Sequence, residues 1–334
     1  MPSSLNLDKQ MRKLARVVRI DTVERHPNAD ALDLCTVGGW RVVSKLGEYK
    51  AGDLAVYFEV DAWVPHDLAP FLSKGKEPKE YNGVLGNRLR SIKLRGELSQ
   101  GLLLPIEVAG TFCPEPVPYE EGQDLTEMLG ILKYEPPIPA ELAGEAEGPF
   151  PTHLVPKTDE ERVQNLEYDE LRKLRYIVTE KLDGTSATFI KEDGRLRVCG
   201  RNWEWKDNDN TYWKVARKYD LLNVLEEGMA VQGEIIGPGI QGNKYGLNEP
   251  QLYVFNVWRN RNRVPFAEWG GLRTVPVLDL WYELPETVFD LLTIAEGKSV
   301  LNPKTEREGL VLRTEKGEVS FKAISNKFLL KGGL

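Results

Sequence analysis

The sequence predicts an α+β protein with two domains, in which a small N-terminal β-barrel precedes antiparallel sheets with flanking helices. Residues 14–105 contain short runs of strand-forming residues separated by turn signals, as in a small barrel. Between residues 134 and 156 the composition shifts to proline, alanine, glycine and glutamate, without an apolar period. After residue 157, strand and helix patterns alternate. We therefore expect domains at residues 1–133 and 157–334, joined by a linker at 134–156.

The strands of the first domain are predicted from β-branched and aromatic runs that end at turn-forming residues. Val37-Gly38-Gly39-Trp40 places two glycines between strand formers, as a tight hairpin turn requires. Trp40 and Tyr57 are either core residues or aromatic residues available for stacking. The predicted strands cover residues 17–23, 32–37, 40–43, 54–60 and 89–93.

The second domain is predicted to begin with a helix. Thr158 and Glu161 have the spacing of a capping box, which predicts a helix over residues 158–174. The dipeptide Lys316-Gly317 lies between two strand patterns and predicts a hairpin over residues 309–324. Further strands are predicted at 176–181, 186–191, 196–200, 231–236 and 252–258, and a further helix at 215–226.

The bulk properties exclude several classes of protein. A net charge of −7 argues against a generic nucleic-acid coat, although a local basic groove remains possible. Cys35, Cys113 and Cys199 are far apart, so we expect buried thiols rather than disulfides or a zinc site, and any metal must have oxygen ligands. No apolar run approaches the roughly 20 residues of a membrane helix, and no signal peptide is recognisable. We expect a cytoplasmic protein.

Six short segments in the second half of the chain are candidates for chemistry. The core of the first segment, Lys-x-Asp-Gly, is weak evidence alone, because a lysine before a turn is common. The five further segments, in the order in which they follow it, strengthen the case that this lysine has a chemical role. In chain order they are Glu180-Lys181-Leu182-Asp183-Gly184-Thr185, Gly200-Arg201-Asn202, Gln232-Gly233-Glu234, Val254-Phe255-Asn256, Glu308-Gly309-Leu310-Val311 and Phe321-Lys322.

This order resembles the covalent nucleotidyltransferase superfamily of polynucleotide ligases and capping enzymes. It looks most like the RNA ligases related to RNA ligase 2 that carry an OB module before the catalytic domain, the RNA ligase family five type. The run of residues 26–33, His-Pro-Asn-Ala-Asp-Ala-Leu-Asp, resembles the start of tRNA-binding OB modules. The resemblance implies an ATP-grasp-like adenylyltransferase domain. It also implies a monomer that seals RNA 3′-hydroxyl and 5′-phosphate ends with ATP, through lysyl-AMP and an RNA-adenylate.

The chemistry of such an enzyme accounts for the residue types. By resemblance Lys181 is the nucleophile, and its attack on the α-phosphate of ATP needs an unprotonated amine, so we expect a lowered pKa. Asp183, Glu234 and Glu308 are implied to hold Mg²⁺ or Mn²⁺, mainly through its waters. Lys322 is implied to stabilise the charge that develops on the α-phosphate. The ordinary alternative for each carboxylate is an acid at the surface or at a strand end.

Other residues are implied to contact the nucleotide or the RNA. Phe255 would stack on adenine, although strand aromatic residues more often belong to the core. Arg201 would contact the ribose or the RNA 3′-end, or is simply exposed. Arg162 would orient the β- and γ-phosphates, or pairs with Asp159 on the predicted helix. The pocket is completed by two neighbours of the nucleophile, Glu180 and Gly184.

The predicted hairpin brings two of these segments together. If residues 309–324 turn at Lys316-Gly317, position 310 or 311 lies opposite Lys322. Glu308 then lies on the opposite strand, about two or three positions from the residue that pairs with Lys322. The register cannot be read from the sequence, and a slip of one residue would reverse the facing side chains.

The N-terminal module also has candidate RNA contacts. Arg88 and Arg90 alternate along one predicted strand and would share a face, with Lys93 and Arg95 nearby. The resulting basic strip either contacts RNA or is a solvated strand face.

Three alternatives remain. A capping guanylyltransferase would carry its OB domain after the nucleophile strand, whereas only residues 323–334 follow Lys322. An NAD-dependent DNA ligase would need further nucleotide-binding and zinc modules. A non-catalytic RNA-binding protein is favoured by Ile324, because the family usually has a second lysine at that position. In an active ligase, Lys327 is the candidate to substitute for this lysine. An active ligase is favoured by the intact motif residues Lys181, Glu234, Glu308 and Lys322.

Overall fold

The computed structural model describes residues 12–112, 118–137 and 144–332, which fall into two compact units. The first unit holds the described residues up to 137 together with 329–332, and the second holds residues 144–328. Residues 134–137 and 144–156, all within the predicted linker, are thus divided between the units. No helix in the described ranges is long and apolar enough to cross a membrane.

The described residues of the first unit form mainly small sheets, together with a short α-helix and a 3-10 helix at Pro70–Ser73. One sheet has the order β1-β5-β11, another β2-β3-β4, a third pairs β9 with β10, and a fourth has the order β12-β6-β8-β7. The elements are β1 (Ala15–Arg19), β2 (Thr22–Arg25), β3 (Leu32–Val37), β4 (Trp40–Lys45), β5 (Leu54–Phe58), β6 (Ala62–Pro65), β7 (Lys79–Tyr81), β8 (Val84–Arg88), β9 (Ser91–Leu94), β10 (Glu97–Gln100), β11 (Leu102–Pro105), α1 (Glu107–Phe112) and β12 (Leu132–Lys133).

The hairpin between β3 and β4 forms as predicted. Val37 pairs with Trp40, and the two glycines between them have φ of 53° and 86°, which side chains disfavour. Trp40 and Tyr57 are fully buried, with ring centroids 5.8 Å apart. They are core residues, so the alternative of a stacking surface is wrong. Cys35 is buried as expected, while Cys113 lies outside the described residues.

The basic strip on one strand is a wrong prediction. β8 ends at Arg88 and β9 begins at Ser91, so Arg90 lies between two strands that belong to different sheets. The intervening Leu89 is buried in the core, whereas Arg90 is exposed. The Arg88 side chain donates a 3.0 Å hydrogen bond to Asp61 and lies over the ring of Tyr134, 4.7 Å from its centroid.

The second unit contains two larger sheets. In the described residues, one sheet has the order β13-β18-β17-β16-β19-β20-β21 and the other β14-β24-β23-β15-β22. The elements from residue 144 onward are β13 (Ala146–Pro149), β14 (Glu161–Arg162), α2 (Tyr168–Leu171), β15 (Arg175–Lys181), β16 (Thr185–Glu192), β17 (Arg195–Cys199), β18 (Trp203–Trp205), α3 (Thr211–Lys218), α4 (Leu221–Val224), β19 (Met229–Ile236), β20 (Gln251–Arg259), β21 (Asn262–Arg263), β22 (Val277–Glu283), α5 (Val288–Ala295), β23 (Gly309–Arg313), β24 (Ser320–Ile324) and α6 (Asn326–Leu330).

The larger sheet separates two apolar clusters of this unit. Phe189, Val231 and Val257 pack with α3 and α4 in one cluster. Tyr253 lies between Leu252 and Val254 of β20, which belong to the first cluster, so its side chain points to the opposite face, where it packs with Leu182 in a second cluster. Because Leu182 follows Lys181 directly, the second cluster fixes the end of β15 that carries the candidate nucleophile. Cys199 is buried, as expected.

The helix predicted over residues 158–174 is wrong. Glu161 and Arg162 form the strand β14, which pairs in parallel with β24. Thr158 does not cap a helix, because its hydroxyl hydrogen-bonds that of Ser186 at 2.7 Å. The segment contains only a 3-10 helix at Val163–Asn165 and one turn of α-helix at Tyr168–Leu171. A long-range strand pairing has therefore overridden a local capping signal.

Two other predicted segments differ in detail. Residues 146–149, within the predicted linker, form β13 and pair with β18. The helix predicted at 215–226 is instead two helices, α3 and α4. They are separated at Asp220, whose φ is 48°, a left-handed conformation that no helix continues through.

Candidate active site

Lys181 is the last residue of β15, and sheet pairing brings Glu308 to it. Lys181 lies opposite Gly309 in β23, so the residue before Gly309 is adjacent to the lysine. The Lys181 Nζ lies 2.8 Å from the Glu308 carboxylate. Gly309 in turn pairs with Ile324, and a Cβ on Gly309 would lie only 2.9 Å from the Cα of Ile324. Glycine at 309 therefore lets β23 and β24 approach closely beside the lysine.

Gly184 and Glu234 close the other side of the lysine. The amide of Gly184 donates a 3.1 Å hydrogen bond to Oε1 of Glu234, which lies opposite Ser186 in the adjacent strand β19. A Cβ on Gly184 would lie 2.6 Å from Cγ2 of Ile236. The glycine of the Lys-x-Asp-Gly motif is thus required by a close approach of two strands.

The carboxylates hold Lys181 in its protonated form. Burial lowers the pKa of the Lys181 amine, but Glu308 and Glu234 outweigh burial and raise this pKa above its ordinary value. Burial also raises the pKa of Glu234 to about 8. The expectation of a lowered pKa for Lys181 is therefore wrong for the ligand-free protein. In the ligand-free protein the amine is thus held as an ammonium group, which is not a nucleophile.

Lys322 lies on the same face of the five-stranded sheet as Lys181. Thr179, Val311 and Lys322 form one row across three strands, so the predicted hairpin is confirmed and Val311 is the one of the two candidate positions that lies opposite Lys322. Thr179 shares a face with Lys181 two residues later. Arg162 extends the row by pairing with Lys322. Burial and the charges of Arg162 and Lys181 lower the pKa of Lys322 to about 8. Lys322 thus lies beside two further cations, Arg162 and Lys181, an arrangement that suits a phosphate group.

Phe255 faces this row from the other sheet. It is partly exposed, and the Arg313 guanidinium lies 5.6 Å from the centroid of its ring. A mainly apolar cavity lies beside Phe255, with Thr179 and Val275 among its lining residues. An aromatic face that opens onto an apolar cavity can receive a planar base.

The acidic side chains of the site act on the Lys181 amine and do not form a set of direct ligands around one metal position. In the described part of the chain, no group of three or more histidine, cysteine, aspartate or glutamate side chains is arranged to hold a metal ion directly. Asp183, Glu234 and Glu308 all act electrostatically on Lys181. Their oxygens fit a hydrated Mg²⁺ or Mn²⁺, which retains water and needs few direct protein ligands.

Comparison with known proteins identifies the family. Residues 14–106 match the profile of an OB-fold domain, and residues 174–325 match that of RNA ligase. The structure of a Naegleria gruberi RNA ligase mutant with AMP and Mn superposes with a TM-score of 0.80 and 40% sequence identity, covering 96% of this chain and 99% of that chain. The chain belongs to the RNA ligase family. The predicted family, α+β fold and N-terminal OB module are confirmed.

Two further structures of the Naegleria gruberi RNA ligase support the assignment. A mutant with ATP and Mn has a TM-score of 0.80, and the enzyme with PPi has a TM-score of 0.78. Both are 40% identical to this RNA ligase and cover 96% of it, while 99% of each of those chains is covered. A search of curated proteins gave no match. The predicted enzyme class, an ATP-dependent RNA ligase, is confirmed.

Some predicted site residues of this RNA ligase lie away from Lys181. Glu180 is next to Lys181 in β15 and so points to the opposite face, where its buried carboxylate accepts a 2.8 Å hydrogen bond from the amide of Val300. A contact between this side chain and a nucleotide bound beside Lys181 is therefore not supported. Arg201 forms a 2.7 Å ion pair with Asp159.

The position of the missing second lysine is also resolved. Ile324 is buried and pairs with Gly309, so it packs the strand beneath the site. Lys327 lies 3.8 Å from Glu306 and is engaged there. Lys327 as the substitute for a lysine at position 324 stays a prediction.

The sequence analysis missed one element of the site, the loop after β19. Lys244 forms an ion pair with Asp183, and the Tyr245 hydroxyl accepts a 2.7 Å hydrogen bond from the Asp183 amide. The side chain of Gln241 approaches the carbonyl of Gly184 at 3.4 Å. A usable signal was the glycine-rich run of residues 237–246 directly after the strand of Glu234, because such loops allow close backbone approach.

Proposed function

We propose that this RNA ligase transfers AMP from ATP to Lys181 and uses it to join an RNA 5′-phosphate to an RNA 3′-hydroxyl. The Nζ of Lys181 attacks the α-phosphorus, the bond to pyrophosphate breaks, and the amine loses its proton. A 5′-phosphate oxygen then displaces the lysine to give an RNA-adenylate. The 3′-oxygen attacks that 5′-phosphorus and AMP leaves. The observation that carries the proposal is the Lys181 amine enclosed by carboxylates on a face shared with Lys322.

The carboxylates Asp183, Glu234 and Glu308 would hold a hydrated Mg²⁺ or Mn²⁺ beside the lysine. The related Naegleria gruberi enzyme has structures with Mn together with AMP or ATP. The cation would supply positive charge that competes with Lys181 for these carboxylates and that offsets charge on the phosphate. This neutralisation is what the raised pKa of Lys181 requires before the amine can attack.

The remaining site residues would each bind a different part of the nucleotide. Lys322 would contact the α-phosphate and Arg162, its neighbour in the row, the outer phosphates. Phe255 would stack on adenine inside the apolar cavity. Arg201, which is 61% exposed, would reach the RNA 3′-end by exchanging Asp159 for a phosphate.

The OB module would hold the RNA strand. Arg90, Lys93 and Arg95 are candidates, because Arg90 and Lys93 are exposed and all three belong to the turns and strand that follow β8. Arg88 is a weaker candidate, since Asp61 already engages it. We propose that the enzyme acts inside the cell as a monomer.

The test is a sealing assay with two RNA substrates, one with a 5′-phosphate and one chemically pre-adenylated at that end. Lys181→Ala should seal only the pre-adenylated RNA, because that substrate already contains the activated phosphate. Lys214→Ala, which removes an exposed lysine on α3 that pairs with Asp209, should seal both. Sealing of the 5′-phosphate RNA by Lys181→Ala would refute the role of this lysine.

A further inference from the structure

The side chain of Lys244 lies between two groups in the second unit. It forms an ion pair with Oδ2 of Asp183, and its Nζ lies over the ring of Phe328, 4.4 Å from the centroid. The backbone carbonyl of Lys244 accepts a 2.8 Å hydrogen bond from Asn302. The lysine is thus held at its backbone, while its ammonium group is supported by both a carboxylate and an aromatic face.

The backbone of Asp183 is fixed separately from its carboxylate. The amide of Asp183 donates to the Tyr245 hydroxyl at 2.7 Å, and its carboxylate side chain is 17% exposed. The Asp183 side chain can therefore exchange its cationic partner without movement of the loop that carries Tyr245. After its ion pair with Asp183 breaks, the Lys244 ammonium group can keep its contact with the Phe328 ring.

The two lysines of the site occupy two of its three carboxylates. Lys181 lies 2.8 Å from Glu308, and Lys244 pairs with Asp183. Lys181 has to leave its partner in order to react, so its ion pair is part of the chemistry. Lys244 lies on a loop and outside the six motif segments. Like Lys181, it is paired with a carboxylate. A cation that approaches Asp183 must compete with its ammonium group.

We propose that Lys244 is a positioning residue that acts as the resident counter-ion of Asp183 and competes with the divalent cation for that carboxylate. It keeps Asp183 oriented and neutralised in the ligand-free enzyme and yields when Mg²⁺ or Mn²⁺ binds. The inference rests on the proposed function only in taking Asp183 as a residue that holds the metal.

The test is titration of Mn²⁺ into nucleotide-free protein, with free Mn²⁺ measured by electron paramagnetic resonance. Lys244→Met should bind Mn²⁺ about 3- to 10-fold more tightly than the wild type, because an unpaired carboxylate attracts the cation without competition. Lys244→Gln should behave in the same way, and it provides a second neutral variant if one of them folds poorly. Lys244→Arg should stay within about 2-fold of the wild type, since the positive charge is kept.

Two controls make the result specific to Asp183. Lys298→Met removes an ammonium that lies 2.8 Å from Glu306, and it should leave Mn²⁺ binding unchanged. In an Asp183→Asn background, Lys244→Met should no longer tighten binding, which is the coupling that a double-mutant cycle detects.

Weaker or unchanged Mn²⁺ binding by folded Lys244→Met and Lys244→Gln would overturn the inference, as would equal tightening in the Asp183→Asn background. The titration contains no ATP or RNA. Its outcome is therefore independent of whether Lys181 accepts AMP, which the sealing assay decides.

Discussion

Replacement of Lys322 by methionine should make the protein more stable while it removes activity. Lys322 has no ion-pair partner among the described residues, and its environment includes the cations Arg162 and Lys181. Burial and these charges lower the pKa of Lys322 from 10.5 to about 8. Methionine keeps most of the length of the side chain and has no charge, so it relieves the electrostatic strain without leaving a cavity.

The size of the effect follows from the pKa. A lysine whose pKa falls from 10.5 to about 8 on folding destabilises the native state by roughly 3 kcal/mol at pH values below 8. This is an upper estimate, because Lys322 is only partly buried. The penalty should shrink as the pH rises from 8 towards 10.5, since the native state then loses its proton before the unfolded chain does. Above pH 10.5 the penalty should be absent.

The assay is chemical denaturation of wild type and Lys322→Met at pH 7 and at pH 9.5, with a sealing assay in parallel. We expect the free energy of unfolding of the variant to exceed that of the wild type by about 1–3 kcal/mol at pH 7 and by clearly less at pH 9.5. Sealing should be lost. A variant that is less stable at pH 7, or equally stabilised at both pH values, would refute the electrostatic reasoning.

Three other variants test separate parts of the site. Gly184→Ala should abolish adenylylation and lower the unfolding temperature, because its Cβ would lie 2.6 Å from Ile236; adenylylation by a folded, fully stable variant would contradict this. Phe255→Ala should raise the ATP concentration for half-maximal adenylylation by about 5- to 100-fold, as loss of a stacking partner implies, whereas an unchanged ATP dependence would leave Phe255 as core. Combined alanine substitution in the OB module should leave adenylylation intact and weaken RNA sealing most at low salt, because salt screens the contacts that these cations make. Sealing equal to that of the wild type at all salt concentrations would exclude these residues from RNA contact. The residues to combine are Arg90, Lys93 and Arg95.

Local patterns in the sequence were sufficient to predict the strands that carry the site. The hairpin at residues 309–324 was predicted from its period and its Lys316-Gly317 turn, and the pairing of Val311 with Lys322 lies within the predicted register. β15 was predicted to within one residue. These features depend on neighbours in sequence, so a single chain contains the information.

The errors arose where a distant partner decides the local structure. The helix expected from Thr158 is instead strand and loop, because residues 161–162 pair with residues 321–322. Lys244 was missed, since its partner Asp183 lies 61 residues away and the loop between them has no periodic pattern. The raised pKa of Lys181 in the ligand-free protein was not anticipated, because the sequence does not show how close Glu308 lies.

The central claim is that Lys181 carries AMP, and intact-mass spectrometry tests it most directly. The protein is incubated with Mg²⁺ or Mn²⁺ and either ATP or GTP, with Lys181→Ala as the control. We predict a gain of one AMP from ATP only, absent in the variant. A GMP adduct, an AMP adduct that persists in Lys181→Ala, or no adduct on folded wild-type protein would contradict the claim.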